Sequence, residues 1–251
     1  MITVHFPRFI YMDEVSSTNE YAMSLSSNTD PKQNLCLYTY NQTAGRGQIG
    51  RNWYSSKGEN LTCTFIWQDI SLPAKEQFRI NIAFTLAIHQ LVQSQLESIS
   101  TPKISIKWPN DIYIGDKKIA GILIQNVLKG DKISTCLLGI GMNINSQSFP
   151  ADLPNPISLS QVVGDSLALS PLLQQLGAML GLFLSNSQTY PERQRSLYEN
   201  LLYRRNQFSE YEEADMRFQG KILGVTEAGK LRMSVGDEER QFNFRELKYV
   251  I

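Results

Sequence analysis

The stretch AGRGQIGRNWYSS, residues 44–56, sets glycines at 45, 47 and 50, with Arg46 and Arg51 among them and Trp53 just beyond. Glycine lets backbone N–H groups come close to a ligand, and two guanidinium groups beside them make an amide-rich, cationic trap for an anion. The spacing G-x-G-x-x-G also marks the pyrophosphate loop of dinucleotide-binding folds. That use needs a strand before the glycines and a helix opening at the third, because the helix N-terminus holds the pyrophosphate. The strand is present as LCLYTY, Leu35 to Tyr40, and Asp69 falls near the distance of a ribose-binding carboxylate. The helix is missing: RNWYSSKGEN, residues 51–60, has no apolar period of 3.6, and LTCTFIW then begins another strand. Two uses remain, a long hairpin connection that needs positive φ or a loop that closes on some other anion.

The elements that position this loop follow from apolar spacing and turn residues. SSTNEYAMSLSS has capping residues followed by Tyr21, Ala22 and Leu25, which predicts a helix from Ser17 or Thr18. A second helix is expected from Ala74 to Ser98, with Phe78, Ile82 and Leu86 on its buried side. KISIKW, DIYIG, KIAGILIQNVL and ISTCLLGIGMNIN read as strands, separated by turn signals at Pro109-Asn110, Gly115-Asp116 and Gly130-Asp131. They predict a mixed, mostly antiparallel sheet in an α+β fold. A Pro-rich link over residues 146–158 leads to a helix opening at Ser170-Pro171, striped by Leu173, Leu176, Leu180 and Phe183, and then to another from Pro191 to Tyr203. Beyond Asn206 short strands at 213–218, 221–226, 230–235 and 239–244, punctuated by Gly220, Gly229 and Gly236, suggest a small β-barrel. The expected domains are therefore 1–205 and 206–251.

Bulk composition narrows the partners. Lys plus Arg and Asp plus Glu each number 24 in 251 residues, so no net field favours nucleic acid or an anionic membrane, and phosphate recognition must be local. No apolar run approaches the roughly 20 residues of a membrane span, and the first residues carry no secretion signal, so a cytoplasmic protein is expected. Cys36, Cys63 and Cys136 are odd in number and far apart, which favours buried free thiols. With only His5 and His89, there is almost no material for a His-based metal cluster or triad, and His89 reads as structural.

Four stretches in this order resemble the biotin protein ligases: SSTN at 16–19, NQTAGRGQIGRNW at 41–53, KWPNDIYIGDKKIAG at 107–121 and GIGMNIN at 139–145. The resemblance implies a catalytic α+β domain related to the class II aminoacyl-tRNA synthetases, followed by an SH3-like barrel. Some bacterial members carry an N-terminal helix-turn-helix; only 15 residues precede SSTN here, so that segment and a repressor role are not expected. The implied reaction joins biotin and ATP into biotinyl-5′-adenylate and passes biotin to a lysine of a biotin carboxyl carrier protein, with ATP, Mg²⁺ and biotin bound. Monomer and homodimer stay open. Such chemistry brings two anions together and calls for Arg, Lys and Mg²⁺ without a protein nucleophile.

Position by position, the resemblance assigns Ser16, Ser17, Thr18, Asn19 and Gln42 to the biotin pocket, with Ser17 or Thr18 equally readable as a helix N-cap. Gly45, Arg46, Gly47 and Gln48 match the loop over biotin's valerate and the phosphate, while Gly121, Gly139 and Gly141 let backbone approach the ring. Lys118 matches the lysine that reaches the carboxylate and α-phosphate, and Lys118 and Arg46 are the expected catalytic cations. Arg51, Trp53, Asn110, Asp111, Lys118 and Asn143 match nucleotide contacts, with Asp111 as the metal ligand. Lys107 has no clear role, and Lys117 is expected on the opposite, solvent side of its strand. Two departures stand out: Gln48 replaces an arginine of some members, which puts tight retention of the adenylate in doubt, and Arg245 stands where glycine is common. A lipoate or octanoate ligase of the same fold is the runner-up, although its members carry a different run of consecutive glycines.

Overall fold

The computed structural model describes residues 6–26, 33–48, 50–97 and 99–250. Its elements are β1 (Arg8–Tyr11), α1 (Thr18–Ser26), β2 (Leu35–Thr39), β3 (Gly45–Arg46), β4 (Asn52–Trp53), β5 (Leu61–Pro73), α2 (Phe78–Gln95), β6 (Ile104–Lys107), β7 (Asp111–Ile114), β8 (Lys117–Lys129) and β9 (Lys132–Met142). There follow α3 (Leu159–Val163), α4 (Leu169–Thr189), α5 (Pro191–Asn200), β10 (Phe208–Glu213), β11 (Met216–Val225), β12 (Leu231–Val235), β13 (Glu238–Phe242) and β14 (Lys248–Tyr249). Seven strands form one sheet in the order β1-β2-β5-β9-β8-β7-β6, antiparallel throughout except for the parallel β1–β2 pair. The expected mixed, mostly antiparallel α+β arrangement is what the chain adopts.

Successive residues of a strand face opposite sides, and here the two sides have different tasks. On one side Cys36, Cys63, Phe65, Trp67, Ile122, Leu138 and Ile140 join the main core with α2 and α4. On the other, a small cluster of Ala22, Leu35, Leu37, Ile66 and Leu137 fastens α1 to the sheet. Beyond that cluster the same side carries Thr62, Thr64, Gly139, Gly141 and Gly121, and the registers Thr64↔Gly139, Thr62↔Gly141 and Gly121↔Gly141 bring these small residues together. That side is the floor of the candidate site.

Several boundaries differ from expectation for local reasons. The second helix does not start at Ala74: a 3-10 turn over Ala74–Glu76 precedes α2, which runs Phe78–Gln95, and Ser98 and His5 lie outside the described residues. α4 starts at Leu169 behind Ala168, so Ser170 sits inside the first turn and does not cap it. α5 ends at Asn200 rather than Tyr203, because Ile106 N–H donates to Leu201 O and Tyr203 N–H to Ile106 O, both at 2.8 Å. The chain leaves the helix to cover the free edge of β6, whose backbone groups need partners.

The C-terminal strands form a second sheet in the order β13-β12-β11-β10-β14, with no closing pair between its two edges among the described residues. Gly220 lies inside β11 instead of ending a strand, where a Cβ would meet the Met233 side chain at 2.9 Å. This sheet docks through Trp108, whose Nε1–H donates to Gly229 O at 3.0 Å and whose ring lies 5.1 Å from that of Phe244. Val225 N–H donates to Glu199 Oε1 at 2.9 Å beside it. All three cysteines are free and buried, and burial pushes the Cys36 and Cys136 thiols well up from their usual range. His89 is buried with Nε2 3.4 Å from Ile104 O, and burial lowers its pKa, in keeping with a structural place. No helix among the described residues is long and apolar enough to cross a membrane.

Candidate active site

The start of α1 and the glycine loop are laced together before any side chain is considered. Thr43 N–H donates to Val15 O at 3.1 Å and Ala44 N–H to Ser16 O at 2.8 Å, so exposed Ser16 touches the loop through its backbone. Buried Ser17 accepts from Glu20 N–H at 3.4 Å, as a helix cap does. Gln42 Oε1 accepts from Thr18 N–H at 2.9 Å and from Thr18 Oγ1 at 3.2 Å, and Thr64 Oγ1 donates to the Thr18 hydroxyl at 3.0 Å. Asn19 Nδ2 donates to Gln125 Oε1 at 2.7 Å, whereas Asn19 Oδ1 is buried without a partner among the described residues. One end of the floor is thus a neutral cluster of hydroxyls and amides, with one acceptor left over.

The loop itself answers the question its glycines raise. β3 and β4 pair as Gly45↔Trp53 and Arg46↔Asn52, and Gly47 N–H donates to Arg51 O at 2.9 Å, so it is a hairpin connection. It also covers the floor. A Cβ on Gly45 would stand 2.4 Å from Trp53 O and 2.6 Å from Gln42 Nε2, which only glycine avoids. The Trp53 indole lies across the Gly121–Gly141 pair, where a Cβ on Gly141 would fall 2.1 Å from the ring and one on Gly121 3.1 Å from Cζ3. Those glycines, read from sequence as room for a ligand ring, admit the indole in this conformation. Trp53 Nε1 is buried without a partner among the described residues. Gly139 lies beneath Asn19, with Oδ1 3.4 Å from where its Cβ would be.

The other end of the floor is charged. Lys118 Nζ pairs with Asp111 Oδ1 at 2.8 Å and lies 5.6 Å from the Trp53 ring centre. Residues 155–157 bracket its backbone, through Lys118 N–H to Asn155 O at 2.8 Å and Ile157 N–H to Lys118 O at 3.0 Å. Lys117, its neighbour, is exposed as expected. Lys107 stands opposite Asp111 in the β6–β7 register. Burial pushes its ammonium down from the usual lysine range; Asp111 opposes this, while Lys118, Arg51 and Arg204 add to it. Lys107 and Lys118 thus stand beside one carboxylate, an excess of positive charge suited to a polyanion.

Not every expected residue joins this cluster. Arg46, read as a catalytic cation, is exposed and pairs outward with Glu20 of α1 at 2.6 Å. Arg51 is exposed near the hairpin tip. Gln48 Nε2 donates to Asn110 Oδ1 at 3.4 Å, and Asn110 Nδ2 to Ile122 O at 3.1 Å. Buried Asn143 donates to Ile157 O at 3.1 Å and so holds the same segment that brackets Lys118. Thr64, Gln125 and Glu20 were not singled out from sequence; of these only Thr64 left a signal, as one of two threonines spaced by two in an apolar strand. As for Mg²⁺, Asp111 offers one carboxylate, and no group of three His, Cys, Asp or Glu converges among the described residues. That donor set fits an ion carried largely by substrate phosphates, which is how Mg²⁺ is commonly bound.

Known proteins supply the remaining context. The bifunctional ligase/repressor BirA of Bacillus spizizenii is 36% identical over 171 residues, which is 66% of this chain and 50% of that one, so the chain spans about half the length of such relatives. Biotin–protein ligase 2 of Arabidopsis thaliana is 26% identical over 94% of this chain and 72% of its own. Among solved structures, the biotin protein ligase from Aquifex aeolicus in complex with biotin and ATP matches with a TM-score of 0.78, at 23% identity over 98% of this chain and 100% of that one, a likeness of fold. The model of the biotin/lipoate A/B protein ligase family matches residues 11–143, more than half of the chain, and the chain belongs to that family.

Proposed function

We propose that the chain is a biotin protein ligase that first activates biotin with ATP and then biotinylates a lysine of a biotin carboxyl carrier protein. The reading is carried by one observation: a neutral hydroxyl–amide cluster and a cation-rich end share one sheet face under one glycine hairpin. Thr18, Asn19 and Gln42 suit a ureido ring, which needs neutral donors and acceptors. Biotin's carboxylate, placed toward Lys118, attacks the α-phosphorus; the bond to the β-phosphate oxygen breaks and pyrophosphate leaves. The acceptor lysine's amine then attacks the acyl carbon and AMP leaves. Lys118 shields the approach of two anions and steadies charge on the α-phosphate, electrostatic work that acts best in a site closed to water. Trp53 and the hairpin close it. Asp111 is the residue that would hold a Mg²⁺ ion beside the phosphates, and such an ion would supply charge neutralisation there.

The same reading takes residues 1–205 as the catalytic domain, 206–251 as an SH3-like unit, and the cytoplasm as its place. The bulge between Ile222 and Gly224, which turns β11, supports the SH3-like assignment. Incubation of the chain with ATP and labelled biotin, followed by a carrier domain, should give pyrophosphate and then labelled carrier. Transfer of lipoate but not biotin would overturn the substrate in favour of the lipoate-type ligases of the family.

A further inference from the structure

Lys107 sits in a setting that a purely structural lysine would not need. Its Nζ donates to the Tyr113 hydroxyl at 3.2 Å and lies 5.3 Å from the Tyr113 ring centre and 5.0 Å from that of Tyr249, on β14 of the C-terminal sheet. Among the described residues no carboxylate pairs with it, and its remaining N–H donors have no protein acceptor. A half-buried ammonium without an anion is costly, and proteins keep such a group where a ligand completes it. The ring of Tyr249, not its hydroxyl, serves the lysine, because that hydroxyl is buried with no partner among the described residues. Tyr203 and Tyr211 pack on Tyr249 at 6.1 and 5.2 Å between ring centres and hold the ring in place. Lys107 and Asp111 are register partners, so the ammonium belongs to the charged end of the site floor, farther from the biotin end than Lys118.

We propose that Lys107 binds the β- and γ-phosphates of ATP, and that Tyr249 is a positioning residue through which the C-terminal sheet holds that ammonium at the site. The inference rests on the ligase reading above. Two tyrosine faces attract a cation without neutralising it, so its charge stays available to phosphate. A carboxylate in their place would cancel that charge.

The test is initial-rate kinetics of pyrophosphate release, with added inorganic pyrophosphate as the probe of the leaving-group subsite. Lys107→Met should raise both the KM for ATP and the inhibition constant of pyrophosphate by about tenfold or more, as loss of a charge-assisted hydrogen bond implies, while the KM for biotin moves less than about twofold. Tyr249→Phe keeps the ring and should behave as the wild type; Tyr249→Leu should raise the KM for ATP several-fold with little change for biotin. If Lys107→Met does not fold, the tyrosine pair decides, and equal KM values for ATP in the Phe and Leu variants overturn the proposal. A wild-type chain that makes no adenylate from biotin and ATP defeats the ligase reading itself. A wild type that makes it, beside a folded Lys107→Met enzyme with an unchanged KM for ATP, defeats only the role of Lys107.

Discussion

The neutral and charged ends of the site floor are built on the same strands yet are balanced in opposite ways. At the neutral end the protein meets most of its own hydrogen-bonding needs: Gln42 takes two hydrogen bonds from Thr18, Thr64 donates to Thr18, and Gln125 engages Asn19, with Asn19 Oδ1 left over among the described residues. At the charged end the ion pair Lys118–Asp111 leaves Lys107 without a carboxylate partner among the described residues. A polar cluster bonded mainly to itself is rigid before ligand arrives and selects by shape and hydrogen-bond pattern. An unbalanced charge cluster is completed by its ligand. The difference teaches where binding order and catalysis reside: recognition of the uncharged ring is prepared in advance, and neutralisation waits for phosphate.

Removing Lys118 should break the charged end most severely. Lys118→Ala is expected to lower adenylate formation by about a hundredfold or more, corresponding to roughly 3 kcal/mol of lost transition-state stabilisation, with biotin affinity much less affected. Because Lys118 also neutralises Asp111, the single variant alone is ambiguous. The double variant Lys118→Ala with Asp111→Asn, read against Asp111→Asn alone, separates the roles, since both lack the carboxylate. Recovery of near-normal single-turnover rates by the double variant would reduce Lys118 to a structural partner.

At the neutral end, Gln42→Leu should leave the Thr18 N–H and the Thr18 hydroxyl without their shared acceptor. Buried donors left unsatisfied cost about 1–3 kcal/mol. The expected result is a rise in the KM for biotin with the KM for ATP unchanged, the mirror image of the Lys107 variant. If both constants rise together, the two ends are not separable and the comparison fails.

A smaller effect is expected at the seam between the ends. Gly141→Ala places a methyl where the Trp53 ring now lies, 2.1 Å from the nearest ring atom, so the indole must leave. Strain of this kind typically costs about 1–3 kcal/mol, and here much of it is relieved by the loop opening. Tryptophan fluorescence should shift toward that of an exposed indole while the melting temperature changes little. An unshifted spectrum would mean that the backbone yields instead and Trp53 stays.

How much of this was readable in advance depends on range. Turn residues at Gly115-Asp116 and Gly130-Asp131 mark the β7–β8 and β8–β9 connections, because a tight reversal is decided by the residues that make it. The grouping of SSTN, the glycine loop, KWPND and KKIAG was legible only through family resemblance, since nothing local places residue 18 against residue 42. The outward turn of Arg46 was not legible: its partner Glu20 lies in another element, and a guanidinium beside glycines reads as a ligand group whichever way it points. Nor was the use of Gly121 and Gly141, which spacing cannot distinguish from strand bulges. Lys107 acquires its setting from Tyr249, 142 positions away, and only the docking of the second sheet brings them together.

The smallest effect concerns the latch between the glycine loop and α1. Arg46 and Glu20 pair at 2.6 Å but are 59% and 46% exposed, so the contact is screened by water and salt. Exposed pairs of this kind contribute about 0.2–1 kcal/mol, which changes a loop-opening equilibrium by about fivefold at most. Trypsin reads that equilibrium, because Arg46 and Arg51 lie within the hairpin, with Lys57 just beyond it, and cleavage follows the open population when reclosing is fast. Glu20→Gln should therefore quicken cleavage a few-fold at low salt and not at all at 1 M salt. Gly141→Ala should quicken it more, and at both salt concentrations, because packing of the indole is not screened. Biotin plus ATP should suppress cleavage in the wild type by giving the loop an anion to close on. A Glu20→Gln chain cleaved faster than Gly141→Ala at high salt would reverse the order of the two anchors and place the hold on the loop in the ion pair rather than in Trp53.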